Sequence, residues 1–454
     1  MKTIRIGNGC GFWGDNLDAP VLLAQYGQLD YLTLEYLAEL TMSILAQQKQ
    51  RDPQAGFATD FLDVLERLVP TLKVQPQLKI ITNAGGMNPT GCAASARAIL
   101  AKGGIMDRPI AAISGDDLLP RLDSLLADNY LFTNHDTQEP LTAVRDRVVS
   151  ANAYLGARPI VDALQQGASI VITGRVADAS LTLAPAAHEF GWRWEDWDRL
   201  CAGTVAGHII ECGAQATGGL WCNWEEIPNF ANIGYPIAEI GPDGTFCITK
   251  PKTSGGRVNI ETITEQLLYE IGDPAAYLTP DVTADFTSFT LKETGPDVVS
   301  VQGCRGRPAT DTYKVSIAYR DGFMASGTLT IFGPQAPAKA KKAGNMILQR
   351  LERIGIKPEH SAIECLGTGA CVPGVVSARE DPPEVVLRVG ARDSRKAVVE
   401  RFTKEFAPLV TSGPVGVTGY TTGRPPVREV FAFWPALVAK SAVSPCLEIY
   451  DRKA

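Results

Sequence analysis

Several things are scarce in this 454-residue sequence, and each scarcity removes a class of function. No run of about eighteen apolar residues occurs, so a membrane-spanning helix is not expected. Met1-Lys2-Thr3-Ile4-Arg5 leads straight into a strand-like run with no apolar leader before it, which makes the cytoplasm the expected address. Basic residues are outnumbered, 43 Lys and Arg against 50 Asp and Glu, for a net charge of -7. Without a basic face interleaved with aromatics, a nucleic-acid partner is not expected either. The ten cysteines are scattered, with no C-x-x-C pair, which suits reduced thiols and no zinc ribbon. A G-x-S-x-G elbow is missing, Thr253-Ser254-Gly255-Gly256 being the nearest stretch and wrong in form, so a serine hydrolase is not indicated. Histidine is rare, at four residues.

What is present reads as α/β. Apolar residues make up 45% of the chain, enough for a large core and two domains. Strand-like runs at Thr3–Ile6, Asp30–Leu34, Leu78–Thr82, Pro109–Ile113 and Ser169–Ile172 alternate with helical patterns such as Asp60–Leu72 and Cys92–Lys102. A further strand, fifth in chain order, is expected at Tyr130–Thr133 and a helix over Val149–Gln165. That alternation predicts a mostly parallel sheet in an N-terminal domain of residues 1–225. After residue 225 the texture changes to an α+β C-terminal domain, 226–454, with an antiparallel sheet. Within it Tyr313–Tyr319 and Gly327–Phe332 are expected to form a hairpin across Arg320-Asp321-Gly322.

The chemistry-bearing residues follow strand ends, where open α/β sheets hold their ligands. Gly11, Gly14 and Asp15 lie in the loop after the first strand, and Gly9, Gly11 and Gly14 match G-x-G-x-x-G by count, although no acidic residue stands at the ribose-binding offset. Glu35 ends the second strand, Asn83, Gly85 and Gly86 end the third, and Thr173-Gly174-Arg175 with Asp178 end another. Arg175 is the candidate grip on a substrate carboxylate, because a guanidinium fork pairs with it bidentately; its bland alternative is an internal pair with Asp178 or Glu211. On a helix expected over Ala206–Gln215, His208, Glu211, Cys212 and Gln215 form one stripe, closed by Gly218-Gly219. His208 and Glu211 suit general acid–base work, and with Cys212 they are also the donors a divalent metal takes. The bland alternative is a satisfied core histidine beside a small buried thiol.

Together these stretches resemble the AtuA-like family, named for acyclic terpene utilisation. Gly-Phe-Trp-Gly-Asp (11 to 15), Leu-Glu-Tyr-Leu-Ala-Glu-Leu-Thr-Met (34 to 42), Asn-Ala-Gly-Gly-Met-Asn-Pro (83 to 89), Thr-Gly-Arg-Val-Ala-Asp (173 to 178), His-Ile-Ile-Glu-Cys (208 to 212), Gln-Ala-Thr-Gly-Gly (215 to 219) and Phe-Trp-Pro-Ala-Leu-Val (433 to 438) carry the resemblance. It implies bacterial catabolism of branched acids or their coenzyme A thioesters, with a lyase role on a 3-hydroxy-3-branched glutaryl thioester. On that reading Glu211, His208, Glu35, Arg175 and Asp178 are catalytic. Gly11, Gly14, Asp15, Asn83, Gly85, Gly86, Thr173, Gly174, Gly218 and Gly219 then contact a small carboxylate or acyl-CoA. A hydratase or dehydratase of the same substrates uses the same groups in another order. The resemblance also implies a small ferredoxin-fold partner protein, expected as a separate chain, so a non-catalytic subunit that binds it is a third reading. A homo-oligomer is expected, and no cofactor beyond the metal alternative.

Overall fold

The computed structural model describes residues 2–375, 381–418 and 423–451. Its first part alternates strands and helices: β1 (Ile4–Asn8), α1 (Ala19–Tyr26), β2 (Tyr31–Leu34), α2 (Glu39–Arg51), α3 (Asp60–Val74), β3 (Lys79–Thr82), α4 (Pro89–Lys102), β4 (Ile110–Ser114), α5 (Leu122–Ala127), β5 (Val148–Ala153), α6 (Arg158–Gln165), β6 (Ile170–Thr173), α7 (Ser180–Phe190) and α8 (Trp197–Glu211). A strand-rich stretch follows with β7 (Ile237–Ile240), β8 (Phe246–Thr249), α9 (Ile260–Leu268), β9 (Tyr277–Leu278), β10 (Thr283–Asp285), β11 (Thr290–Gly295), β12 (Val298–Gln302) and β13 (Arg305–Arg307). The remainder comprises β14 (Thr312–Phe332), α10 (Ala336–Glu352), β15 (His360–Leu366), β16 (Glu384–Asp393), α11 (Lys396–Thr403), α12 (Leu409–Ser412), β17 (Arg428–Ala439) and β18 (Cys446–Tyr450). No described helix is long and apolar enough to cross a membrane.

Two compact units emerge, one of residues 1–318 with 433–454, the other of 319–432. In the first, ten strands among the described residues form one sheet in the order β11-β12-β8-β7-β1-β2-β3-β6-β4-β18. The middle five, β1-β2-β3-β6-β4, are parallel, as the strand–helix alternation predicts. Antiparallel strands extend both edges, β7 beside β1 and β18 beside β4. The expected cut near residue 225 therefore runs between strands of a single sheet. Strands β2, β4 and β6 are mostly apolar and almost wholly buried, the pattern of a sheet covered on both faces. α3 shows how a helix seals it: Phe61, Val64, Leu65, Leu68 and Leu72 recur at helical spacing and are all buried, while Asp60, Asp63 and Lys73 sit at its ends.

The second unit runs strand, helix, strand, strand, helix, strand, with its sheet ordered β15-β16-β14-β17. That is the split β-α-β arrangement of ferredoxin-like folds. Ala340, Ala343, Ile347 and Leu351 of α10 and Val399 and Phe402 of α11 pack on Leu329, Ile331, Leu387 and Val389 of the sheet. The chain thus contains a unit of the topology expected in a separate partner.

Three local expectations are corrected. Tyr130–Thr133 is not a strand: Phe132 takes a positive φ of 46°, and its carbonyl accepts from Trp434 Nε1 at 2.8 Å. The helix expected over Val149–Gln165 is instead β5 followed by α6, because β5 pairs with the sequence-distant β14. The hairpin across Arg320-Asp321-Gly322 is one continuous strand, β14. There the turn-type residues take up a local kink, with Gly322 at φ 85°, in a position where a Cβ would press on the Asp393 carbonyl oxygen.

Candidate active site

The carboxyl ends of β2, β3 and β6 converge, as parallel neighbours in one sheet must. Glu35 leaves β2 into the interior. Its Oε1 accepts from the Leu37 amide at 2.9 Å and from the Asn83 side chain, while Asn83 Oδ1 accepts from the Tyr36 amide at 2.8 Å. Gly85 lets the loop after β3 lie against the Thr173 carbonyl, where a Cβ would clash. Gly174 does the same for Asp116, whose carboxylate takes the space of a Cβ at that position. Asp116 accepts from the Arg175 amide at 2.9 Å and the Asn152 side chain at 2.8 Å, and burial still pushes its carboxyl up to about 6.

Arg175 is 2% exposed. Its Nη1 donates to the Leu37 carbonyl at 2.9 Å and to Asp178 at 2.6 Å, lies 3.8 Å from Glu35, and the guanidinium stacks 4.1 Å over the Tyr154 ring. The internal pairing foreseen as the bland reading is therefore real, and Arg175 Nε is left buried without a partner. Burial raises the Glu35 carboxyl well above the usual range, the Asp178 charge adds to it, and Arg175 offsets only part. At the rim, burial would raise Glu39, but Lys314 at 3.1 Å and the Tyr154 hydroxyl at 2.5 Å hold it down to about 2.

α8 brings the second half. Gly207 lets it approach the start of α7 so closely that a Cβ would stand 2.6 Å from the Ala179 carbonyl oxygen. From strand β1, the Asn8 amide donates to the Ile210 and Glu211 carbonyls, each at 2.8 Å, which satisfies the helix's last carbonyls. His208 Nε2 stands 3.0 Å from the Gln266 carbonyl oxygen, which only accepts, so Nε2 carries a hydrogen. Nδ1 then faces Glu211 Oε1 at 3.2 Å, off hydrogen-bond alignment. Burial and the Asp178 charge push Glu211 up to about 7 against the pull of His208. Burial acts to lower the His208 imidazole, but the Glu211 charge outweighs it and the net shift is upward. Tyr277 and Phe286 close around the imidazole, with ring centroids 5.7 and 5.3 Å away.

The expected stripe of four is shortened to two, because α8 ends at Glu211 and a 3-10 turn carries Gly213–Thr217. Burial pushes the Cys212 thiol up to about 12, and among the described residues no three His, Cys, Asp or Glu side chains gather as metal ligands do. Gly11 packs on the Cys212 backbone and Asp15 accepts from the Gly11 amide and the Tyr235 hydroxyl, so both brace the loop after β1. Gly14 stands at φ 105°, Gly86 at φ 50° and Gly218 at φ 100°, as turn residues, and Gly219 lies against the Ala214 carbonyl. Thr173 Oγ1 donates to the Gly174 carbonyl. Sequence reading missed Asn8, Glu39, Tyr154, Gln266, Tyr277 and Lys314; Asn8, the last residue of β1, and Tyr154, one residue beyond β5, lie at the kind of strand end that would have drawn notice.

An open sheet with a buried acid–base cluster outside the carboxyl ends of its parallel strands defines the class: an α/β protein with a candidate site at the edge where such sheets hold ligands. Within that class, the chain belongs to the acyclic terpene utilisation family AtuA, whose model matches residues 4–449. No curated protein and no solved structure matches it.

Proposed function

We propose that the chain is a carbon–carbon lyase acting on a branched 3-hydroxy acid or its acyl-CoA thioester. One observation carries the reading. Native structures pair almost every buried polar atom, yet Glu35 Oε2, Arg175 Nε, His208 Nδ1, Glu211 Oε2 and Gln266 Oε1 are buried without a hydrogen bond from the protein. A substrate with a hydroxyl, a carboxylate and an acidic carbon supplies partners for such a set. The His208–Glu211 pair takes the proton from the 3-hydroxyl. The bond between the carbinol carbon and the adjacent carbon then breaks, giving a new carbonyl and leaving its electron pair as an enolate. Arg175 stabilises the enolate oxygen, and Glu35, whose carboxyl burial raises well above the usual range, returns a proton to the carbon.

Mass spectrometry of the protein incubated with branched 3-hydroxy acids and their thioesters tests this. Two fragments whose masses sum to that of the substrate are expected. A change of one water identifies a hydratase or dehydratase and overturns the lyase reading, and so does no turnover in any condition.

A further inference from the structure

The acid–base cluster is rich in acceptors and short of free side-chain donors. Glu35, Glu211 and Gln266 each keep a buried oxygen without a hydrogen bond. The donors around them are mostly committed. Asn83 Nδ2 donates to Glu35, Asn8 Nδ2 to the last carbonyls of α8, His208 Nε2 to the Gln266 carbonyl, Gln266 Nε2 to the His208 carbonyl, and Arg175 Nη1 to Leu37 and Asp178. A substrate oxygen that gathers negative charge among these carboxylates needs a donor aimed at it. Arg175 Nε, unpartnered, offers one beyond the end of β6. The half of the cluster built on α8 needs another.

Tyr277 stands there. It opens β9, where it pairs with Ala284 of β10, and the Phe286 amide donates to the Pro274 carbonyl at 2.7 Å, so the loop that carries it is tied on both sides. Its ring centroid lies 5.7 Å from that of His208 and 5.0 Å from that of Phe286. Phe289 extends the row, 6.0 Å from Phe286. A row that only packs needs no hydroxyl, and phenylalanine fills the other two places. Tyr277 differs from them in its surroundings: the charges of Glu211, Asp178 and Glu270 and that of Arg175 all reach its phenol. Burial, reinforced by those carboxylates, raises the phenol above its ordinary value, so it keeps its proton and remains a donor. Among the described residues its hydroxyl has no hydrogen-bond partner, and the side chain is only half-buried, which leaves it open to a small molecule.

We propose that the Tyr277 hydroxyl donates a hydrogen bond to the substrate oxygen that lies against His208 and Glu211. In the lyase reading, on which this part rests, that oxygen is the 3-hydroxyl. Tyr277 then steadies the negative charge that gathers on it as its proton leaves, while the phenol keeps its own proton and no bond to Tyr277 is made or broken.

Isothermal titration calorimetry with 3-hydroxy-3-methylbutanoate and with 3-methylbutanoate, which lacks the hydroxyl, reads this contact without turnover. The wild type is expected to bind the hydroxy acid more tightly. Tyr277→Phe, which keeps the ring contacts, should weaken binding of the hydroxy acid about tenfold and leave the other acid unchanged. Phe286→Leu disturbs the same packing but removes no hydroxyl, so it should not separate the two acids. Equal losses for both acids in Tyr277→Phe overturn the proposal in favour of packing alone. An unchanged affinity for the hydroxy acid in that variant overturns it too, as does a wild type that does not prefer the hydroxy acid or does not bind it. Because no product is read, the absence of cleavage in the mass-spectrometric test leaves this result standing, and a Tyr277→Phe protein that binds like the wild type leaves the lyase reading intact.

Discussion

The ferredoxin-like unit and the candidate site of the α/β unit treat buried carboxylates in opposite ways. In the ferredoxin-like unit carboxylates are met by arginines: buried Asp393 accepts from Arg395 Nε and Nη2 at 2.8 and 2.9 Å and from the Glu359 amide, and Arg388 grips Glu364 with two bonds. The Arg395 bonds hold Asp393 down to about 2. In the α/β unit Glu35 and Glu211 are just as buried, each with an oxygen unpartnered, and both are pushed up. Paired carboxylates hold a fold together, whereas carboxylates denied partners are kept ready to exchange a proton.

The sharpest way to break this contrast is Glu211→Gln. Loss of the proton acceptor should lower kcat by about 10²–10⁴-fold with thermal stability nearly unchanged; a variant that keeps its rate removes Glu211 from the chemistry. Asp393→Ala should do the reverse, costing about 2 kcal/mol in urea denaturation while turnover persists. Gly174→Ala forces Asp116 out of its bed beside Arg175 and should lose about 1–3 kcal/mol by the same assay; wild-type stability would mean that the close approach is not needed. The smallest effect is in pH. The raised Glu211 carboxyl contributes stability that is fully present below about 4.5 and lost as pH rises through about 7, so the wild type should lose ground to Glu211→Gln over that window. Asp393, held down, contributes stability present above about 3.8 and lost as pH falls toward 2, so the Asp393→Ala difference should shrink in acid. Parallel pH profiles for the two variants would erase the contrast.

The strand ends that hold Glu35, Asn83 and Arg175 were legible because apolar runs broken by Gly and polar residues mark where a parallel sheet stops. So was the His208–Glu211 pair, since i and i+3 share a helix face in any register. The groups around them were hidden for want of a local signal. Tyr277 and Gln266 reach His208 through tertiary packing, and Asn8 holds the end of α8 across 203 residues of sequence. β14 misled because Asp321-Gly322 carries turn chemistry, while its pairing with β16 was set by a strand some sixty residues away. The unit boundary was obscured for a related reason: β7 and β8 look like a new antiparallel region locally and join the old sheet globally.

That the ferredoxin-like unit lies within the sequence of the α/β unit bears on how the protein comes to exist at all. Residues 319–432 are contiguous, so that unit closes through contacts within one stretch of about a hundred residues. The ten-stranded sheet has no such freedom, for β4 waits on β18, more than three hundred residues later in synthesis. During translation the edge of β4 stays open while the inserted unit folds, which makes that edge the place where a chaperone or a stray strand meets the unfinished chain.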